Sequence, residues 1–313
     1  MTKAADLVDR ALTGQQRAVA QLISRVESGS PDLPEIAALL APHTGRAQVV
    51  GLTGSPGVGK STTTSALVTA FRRAGKRVGV LAIDPSSPFS GGALLGDRVR
   101  MGDHALDDGV FIRSMATRGH LGGLAWATPQ ALRVLDAAGC DVVLVETVGV
   151  GQSEVDVVSL ADTTLVLLAP GMGDGVQAAK AGILEIADVF VVNKADRDGA
   201  AQTVRDLRYM MSLGERRDAW RPPVCKTVAA RGEGIAEVVE AVAEHHAWLA
   251  ESGEGARRRR RRAAAEIEAI GLERVRERIG RVRGGAALDV LADEVVAGRS
   301  DPYAAAARLL ADL

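Results

Sequence analysis

The chain has 313 residues, 47% apolar and 25% charged, the balance of a globular protein long enough for one large or two modest domains. Its 38 Lys and Arg against 39 Asp and Glu leave a net charge of −1, which argues against a protein held to nucleic acid by bulk charge. Cys140 and Cys225 lie far apart in no Cys/His cluster, no apolar run reaches the roughly 18 residues of a membrane span, and Asp6 and Asp9 interrupt the N-terminus. The expectation is a protein of a reducing compartment, cytoplasmic, with no membrane and no nucleic acid among its partners.

Residues 1–45 read as a helical extension. Apolar residues recur at Ala4, Leu7, Val8 and Leu12 and again at Val19, Leu22, Ile23 and Val26, a spacing that gathers them on one face. Ser28-Gly29-Ser30-Pro31 breaks the chain, and a short helix runs from Pro34 toward Leu40. Residues 46–250 have a different texture, with short apolar runs alternating with helical stretches. The runs are Val49–Leu52, Val78–Leu81, Val142–Val145, Leu165–Leu168 and Val189–Val192. Continuous rather than alternating apolar strands are what a parallel sheet covered on both faces requires. The expected fold is α/β: a doubly wound, mostly parallel sheet of the phosphate-loop NTPase kind, with its chemistry at the carboxyl ends of the strands.

Ile235–Leu249 is an amphipathic helical run, and residues 251–256 read as a hinge. Residues 251–313 then form a helical arm opened by six arginines, Arg257–Arg262. Between Arg257 and Arg283 there are 11 Arg and 4 Glu, a local excess of +7. Such a face suits an acidic partner or nucleic acid, or is a solvated face or the rim of an oligomer contact. A tail with little core of its own is expected to bury Leu288, Leu291 and Val295 in a second subunit.

The chemistry starts at Gly54-Ser55-Pro56-Gly57-Val58-Gly59-Lys60-Ser61, a full G-x-x-x-x-G-K-[ST] between a strand and the helical run Ser61–Ala74 that continues through Thr62. Its backbone N–H groups and the helix N-terminus make an anion nest. Lys60 serves the β- and γ-phosphates, and the Ser61 hydroxyl is placed to ligate Mg²⁺. Asn193-Lys194-Ala195-Asp196 follows a buried strand and reads as N-K-x-D. The Asp196 carboxylate can accept from guanine N1–H and the N2 amine, whereas adenine would leave it desolvated without donors. Asp84 and Glu146 end strands at the γ-phosphate side, where carboxylates hold Mg²⁺ directly or through water. The Gly149 N–H is placed to meet the γ-phosphate. Val150 stands where Ras-like proteins carry a water-positioning Gln, so slow intrinsic hydrolysis is expected, with Gln152 the nearest substitute.

Three longer strings resemble the MeaB/ArgK-type GTPases, the chaperones associated with methylmalonyl-CoA mutase. They run from Asp84-Pro85-Ser86-Ser87 to Met101, from Arg113-Ser114-Met115 to Gly123, and from Glu146-Thr147-Val148-Gly149 to Glu154. Glu at position 146, where D-x-x-G is common, is similar to the family pattern. The resemblance covers roughly residues 5–310. It implies a GTPase of the dimerising branch that binds GTP/GDP and Mg²⁺, with the C-terminal arm making the homodimer. It also implies a partner, an adenosylcobalamin-dependent acyl-CoA mutase, whose cofactor loading the GTPase gates and which it protects. Matched by position, Lys60, Asp84, Asp97 and Glu146 would form the phosphate and Mg²⁺ site, completed by Ser61. The loop Thr227-Val228-Ala229-Ala230-Arg231 is similar to the last guanine-contacting loop, with Val228 where many relatives have Ser. Residues 170–180 match a mobile, partner-facing loop.

His245 and His246 are adjacent and share no helix face; His120 has no second ligand nearby; Asp97 by itself reads equally as a helix-start residue. Cys140 reads as an apolar filler, and Trp126, Trp220 and Trp248 as scattered packing residues. Two other tasks fit a phosphate loop. A nickel-insertion-type metallochaperone GTPase would need His or Cys clusters, and a transport-associated NTPase or kinase would use ATP, against which Asn193 and Asp196 speak.

Overall fold

Strand β1 (Gln48–Thr53) is the centre of a seven-stranded sheet in a computed structural model that describes residues 2–84, 102–104, 106–116, 127–147, 159–171, 184–212, 220–282 and 286–311. The other strands are β2 (Val78–Asp84), β3 (Val110–Ala116), β4 (Val142–Thr147), β5 (Thr163–Leu168), β6 (Val189–Val192) and β7 (Val224–Lys226). Their spatial order is β3-β2-β4-β1-β5-β6-β7, and every pairing is parallel. The chain leaves β1 for β2 and β3, returns to β4, then crosses to β5. The strand order therefore reverses at β1, and the crevice beyond its carboxyl end is where ligands bind in such sheets.

The five apolar runs are strands because both faces of the sheet are covered. Along β4, Val143 and Val145 enter one core while Val142 and Leu144 enter the other, so both sets of a period-two pattern are apolar. The first core is closed by α1 (Lys3–Leu12), α2 (Gln16–Ser28), α3 (Leu33–Leu40) and α5 (Ala127–Ala137), and the second by α4 (Lys60–Arg73) and α7 (Ile235–Glu251). A third cluster joins Val166, Phe190 and Val192 to Val204 and Leu207 of α6 (Ala200–Ser212). In α1 and α2 the buried residues include Leu7 and Val8, then Val19, Leu22, Ile23 and Val26, so the N-terminal helices lie on the sheet by the faces their spacing defines. Thr2 caps α1 by accepting from the Ala5 N–H at 3.1 Å.

Strands β3 and β7 have no counterpart among the five runs. Both are edge strands, and half-exposure admits polar residues. In β3, Arg113 reaches out to pair with Glu27 of α2 and to donate to Ser24 at 3.0 Å. In β7 only three residues follow Pro222-Pro223.

The chain forms two compact units, Met1–Arg258 and Arg259–Leu313. Helix α8 (Glu254–Val282) begins before the arginine run, so the expected hinge shrinks to Ser252-Gly253. The reason is local capping: the Ser252 hydroxyl accepts from the Glu254 N–H at 3.3 Å, and Glu254 pairs with Arg257 at 2.7 Å. The second unit holds the rest of α8, α9 (Ala286–Val296) and α10 (Pro302–Ala311). Leu291, expected to need a second subunit for burial, is buried in the single chain, and Leu288 and Val295 are half-buried. Among the described residues no helix is long and apolar enough to cross a membrane.

Candidate nucleotide site

The loop between β1 and α4 turns through backbone conformations that a side chain would obstruct. Gly54 has φ +140° and Gly59 φ +99°; a Cβ on Gly54 would lie 2.3 Å from the Leu167 carbonyl oxygen, and one on Gly59 2.3 Å from Asn193 Nδ2. Glycine is required at both places. Among the described residues no side chain caps α4, whose N-terminus adjoins the loop. Ser55 is half-buried, Pro56, Gly57 and Thr62 are exposed, and Val58 is buried. Lys60, also buried, folds back over its own loop and donates to the carbonyls of Gly54 and Ser55 at 2.6 and 3.2 Å.

Glu146 is 3% exposed, a carboxylate buried beside the loop. The sheet register sets it opposite Leu52 of β1 and Ala82 of β2. Its Oε1 accepts from the Ser61 hydroxyl at 2.6 Å and its Oε2 from Thr64 at 2.8 Å. A buried charge needs such partners, and the resulting set of hydroxyl and carboxylate oxygens suits a hard divalent cation. The motif alone does not single out Thr64, although three residues from Ser61 along a helix is the same face. Asp84 is the last residue of β2, paired in register with Ala116. Asp97, Gly149 and Gln152 lie outside the described residues, as do Trp126, His120 and residues 172–180.

The base-side loops meet at Asn193, which is 3% exposed. Its amide donates to the Val58 carbonyl at 2.8 Å, and its Oδ1 accepts from the Thr227 hydroxyl and the Ala229 N–H, both at 3.1 Å. One side chain thus joins the phosphate loop, the end of β6 and the turn after β7. Lys194, with φ +56°, donates its ammonium to the Gly57 carbonyl at 2.6 Å. The Val228 N–H is spent within its own turn on the Glu233 carbonyl at 3.0 Å, while Ala230 is exposed. Asp196 is 41% exposed and lies 3.4 Å from Arg231.

At the opposite, amino ends of β5 and β6 lies a second buried polar group of residues. Asp188 accepts from Arg258 at 2.9 and 3.0 Å and from the Thr164 N–H at 2.8 Å. His245, with no exposed surface, shares a 2.9 Å hydrogen bond with Thr163 through Nδ1; its Nε2 is 3.3 Å from Asp188 but not aligned to hydrogen-bond. Burial pushes the imidazole down to about 4, against the pull of Asp188. Trp220 and Trp248, distant in sequence, meet here with ring centroids 5.8 Å apart and His245 against both, so these two tryptophans are not scattered. His246, one residue on, is exposed, as adjacent helix positions require. Cys140 is buried, which pushes its thiol up to about 12 and leaves it an inert filler.

A parallel sheet with a glycine-rich loop after its central strand, and a second loop stapled to it by an asparagine, defines a phosphate-loop nucleotide-binding protein. The chain belongs to the family described as methylmalonyl-CoA mutase-associated GTPase MeaB, whose profile matches residues 19–283. It is a GTPase of that family and a binder of guanine nucleotides. A protein of Pyrococcus horikoshii is 52% identical over 268 residues, covering 85% of this chain and 84% of its own length. The Escherichia coli GTPase ArgK is 38% identical over 258 residues, covering 80% and 78% of the two chains. The crystal structure of a protein described as LAO/AO transport system kinase superposes with a TM-score of 0.72 at 26% identity, over 99% of this chain and 97% of that one.

Proposed function

We propose that the protein uses GTP binding and slow hydrolysis to gate cofactor loading onto an adenosylcobalamin-dependent acyl-CoA mutase, and to protect that enzyme from inactivation. The mutase part is supported by membership of a family described as mutase-associated. The nucleotide part is supported by one observation above others: Ser61, at the first turn of α4, and Glu146, in β4, bring their oxygens to 2.6 Å beside the phosphate loop.

In this reading the loop Gly54–Thr62, through backbone N–H groups other than at Pro56, which has none, and the Lys60 ammonium hold the phosphates. Ser61 and Glu146, with Asp84 and Asp97, hold Mg²⁺, which supplies positive charge to the phosphate oxygens when bound. Gly149 offers its N–H to the γ-phosphate. Asp196 accepts from guanine N1–H and N2, and Lys194 and Asn193 fix the loops around the base. In the turn at Val228, Ala229 and Ala230 it is the Ala230 N–H that is offered toward O6, since those of Val228 and Ala229 are engaged by the Glu233 carbonyl and Asn193. Val150 is apolar and cannot orient an attacking water, which keeps hydrolysis slow until a partner acts. Residues 251–313 serve as the arm of a homodimer, and the protein works in the cytoplasm.

The test is recovery of partners on the tagged full-length protein from native extract, with GDP or a non-hydrolysable GTP analogue. An acyl-CoA mutase should be retained in at least one nucleotide state; none in either would remove the chaperone reading. The transport-kinase reading has the name of one solved relative behind it. It requires ATP to compete with GTP, which a competition assay decides. No specific observation favours nickel insertion.

A further inference from the structure

Arg231 projects from the turn Ala229–Arg231 toward the carboxylate assigned above to guanine. Its guanidinium lies between two acids. Nε and Nη2 fork onto Glu233 at 2.7 and 3.3 Å, and Nη1 lies 3.4 Å from Asp196 Oδ2. The turn is pinned by Arg231 N–H to Val228 O at 2.8 Å and by Val228 N–H to Glu233 O at 3.0 Å. It is cross-stitched to the Asp196 loop, since Ala195 N–H donates to Thr227 O at 3.0 Å and Asn193 Oδ1 accepts from Ala229. The backbones that carry Arg231 and Asp196 are therefore held at a fixed separation, across which the two exposed side chains meet.

We infer that Arg231 is a latch on the base-reading carboxylate and Glu233 the catch that holds the latch back. The inference rests on the reading of Asp196 as the guanine acceptor. To read guanine, Asp196 must turn both oxygens to N1–H and N2. A guanidinium at Oδ2 takes one of that carboxylate's lone-pair sites and draws the group toward itself, so its hold opposes the turn that seats the base. Glu233 decides how much of that guanidinium is available, because the two-pronged contact with Glu233 is the tighter one. The contact is exposed, so its effect is modest. It therefore sets how readily guanine nucleotides exchange rather than whether they bind.

The latch makes a prediction with an unusual sign. Arg231→Ala frees Asp196, so GDP affinity rises about two- to five-fold, the range of exposed ion pairs, chiefly through slower release. Glu233→Gln releases the guanidinium onto Asp196, so affinity falls by a similar factor. The double variant behaves as Arg231→Ala, because without the latch the catch has nothing to hold. Plain attraction between local charge and a polyanionic nucleotide predicts the reverse for both single variants: loss of a positive charge weakens binding and loss of a negative one strengthens it.

The measurement is GDP affinity and release rate with a fluorescent guanine nucleotide on the folded full-length chain, in low salt and in about 1 M salt, where a screening length of about 3 Å should shrink the differences. ADP competition on the unchanged protein is read alongside. Guanine preference with the two variants moving as stated supports the latch. Guanine preference with the charge-ordered pattern, or with no change, overturns the latch alone. Equal competition by ADP overturns the assignment of Asp196 and the latch with it.

Discussion

The Asn193 amide donates to the Val58 carbonyl at 2.8 Å, across 135 residues of sequence. A strand-end residue on the base side and a phosphate-loop residue are thereby one mechanical piece. Replacement by alanine leaves the Val58 carbonyl, the Thr227 hydroxyl and the Ala229 N–H without this partner, at about 1–3 kcal/mol for each group left unsatisfied. Asn193→Ala should lower the stability of the nucleotide-free protein by at least about 2 kcal/mol and weaken GDP binding more than tenfold. Urea unfolding and nucleotide titration check the two parts; a stability loss with unchanged affinity would reduce Asn193 to a purely architectural residue.

Glu146→Gln keeps an acceptor for one hydroxyl but removes the charge from the oxygen set beside Ser61. The Mg²⁺ concentration for half-maximal GTP hydrolysis should rise at least about tenfold, the lower end of what disturbing a metal site costs. A Mg²⁺ titration of the GTPase rate decides it, and an unmoved midpoint removes Glu146 from the metal site.

Asp196→Asn exchanges a two-acceptor edge for one acceptor and one donor. Xanthine carries an oxygen where guanine carries the N2 amine, so preference should move from GTP to XTP. A hydrogen bond to a charged group is worth about 1.5–3 kcal/mol, so the change in the GTP-to-XTP ratio should exceed about tenfold. Competition between the two nucleotides measures it, and a variant still preferring GTP would separate Asp196 from base recognition.

His245 titrates at about 4 in the fold against 6.5 in the open chain. Between those values the unfolded chain binds a proton that the native one refuses, so stability is full above about pH 6.5 and falls as pH drops toward 4. The loss should reach on the order of 3 kcal/mol by pH 4. The facing charges are Asp188, Arg258, Asp162 and His246; Asp188 and Asp162 favour the imidazolium and the other two oppose it. Urea midpoints taken from pH 7 to pH 4 should slope less steeply in His245→Asn. An equal slope would assign the acid sensitivity to other groups.

The five central strands are legible because two-sided burial writes each as an unbroken apolar word, from Val142–Val145 to Val189–Val192. Edge strands β3 and β7 carry no such signature, since one side may hold Arg113 or follow prolines. The phosphate loop is legible for the opposite reason: its geometry demands glycine at 54 and 59, and glycine is conspicuous. What spacing does not reveal is partnership. That Thr64 shares Glu146 with Ser61, that Trp220 and Trp248 meet around His245, and that Arg231 reaches Asp196 all depend on how crossovers bring distant segments together.

The aromatic group at the amino ends of β5 and β6 has an optical consequence. From Asp188 to Asn193 the chain runs along β6, five residue steps or about 16 Å at strand rise. Indole light from Trp220 and Trp248 therefore originates within energy-transfer range of a fluorophore carried by a nucleotide at the far end of the same strand. The protein contains its own donor for watching guanine nucleotides arrive and leave, with no label on the chain.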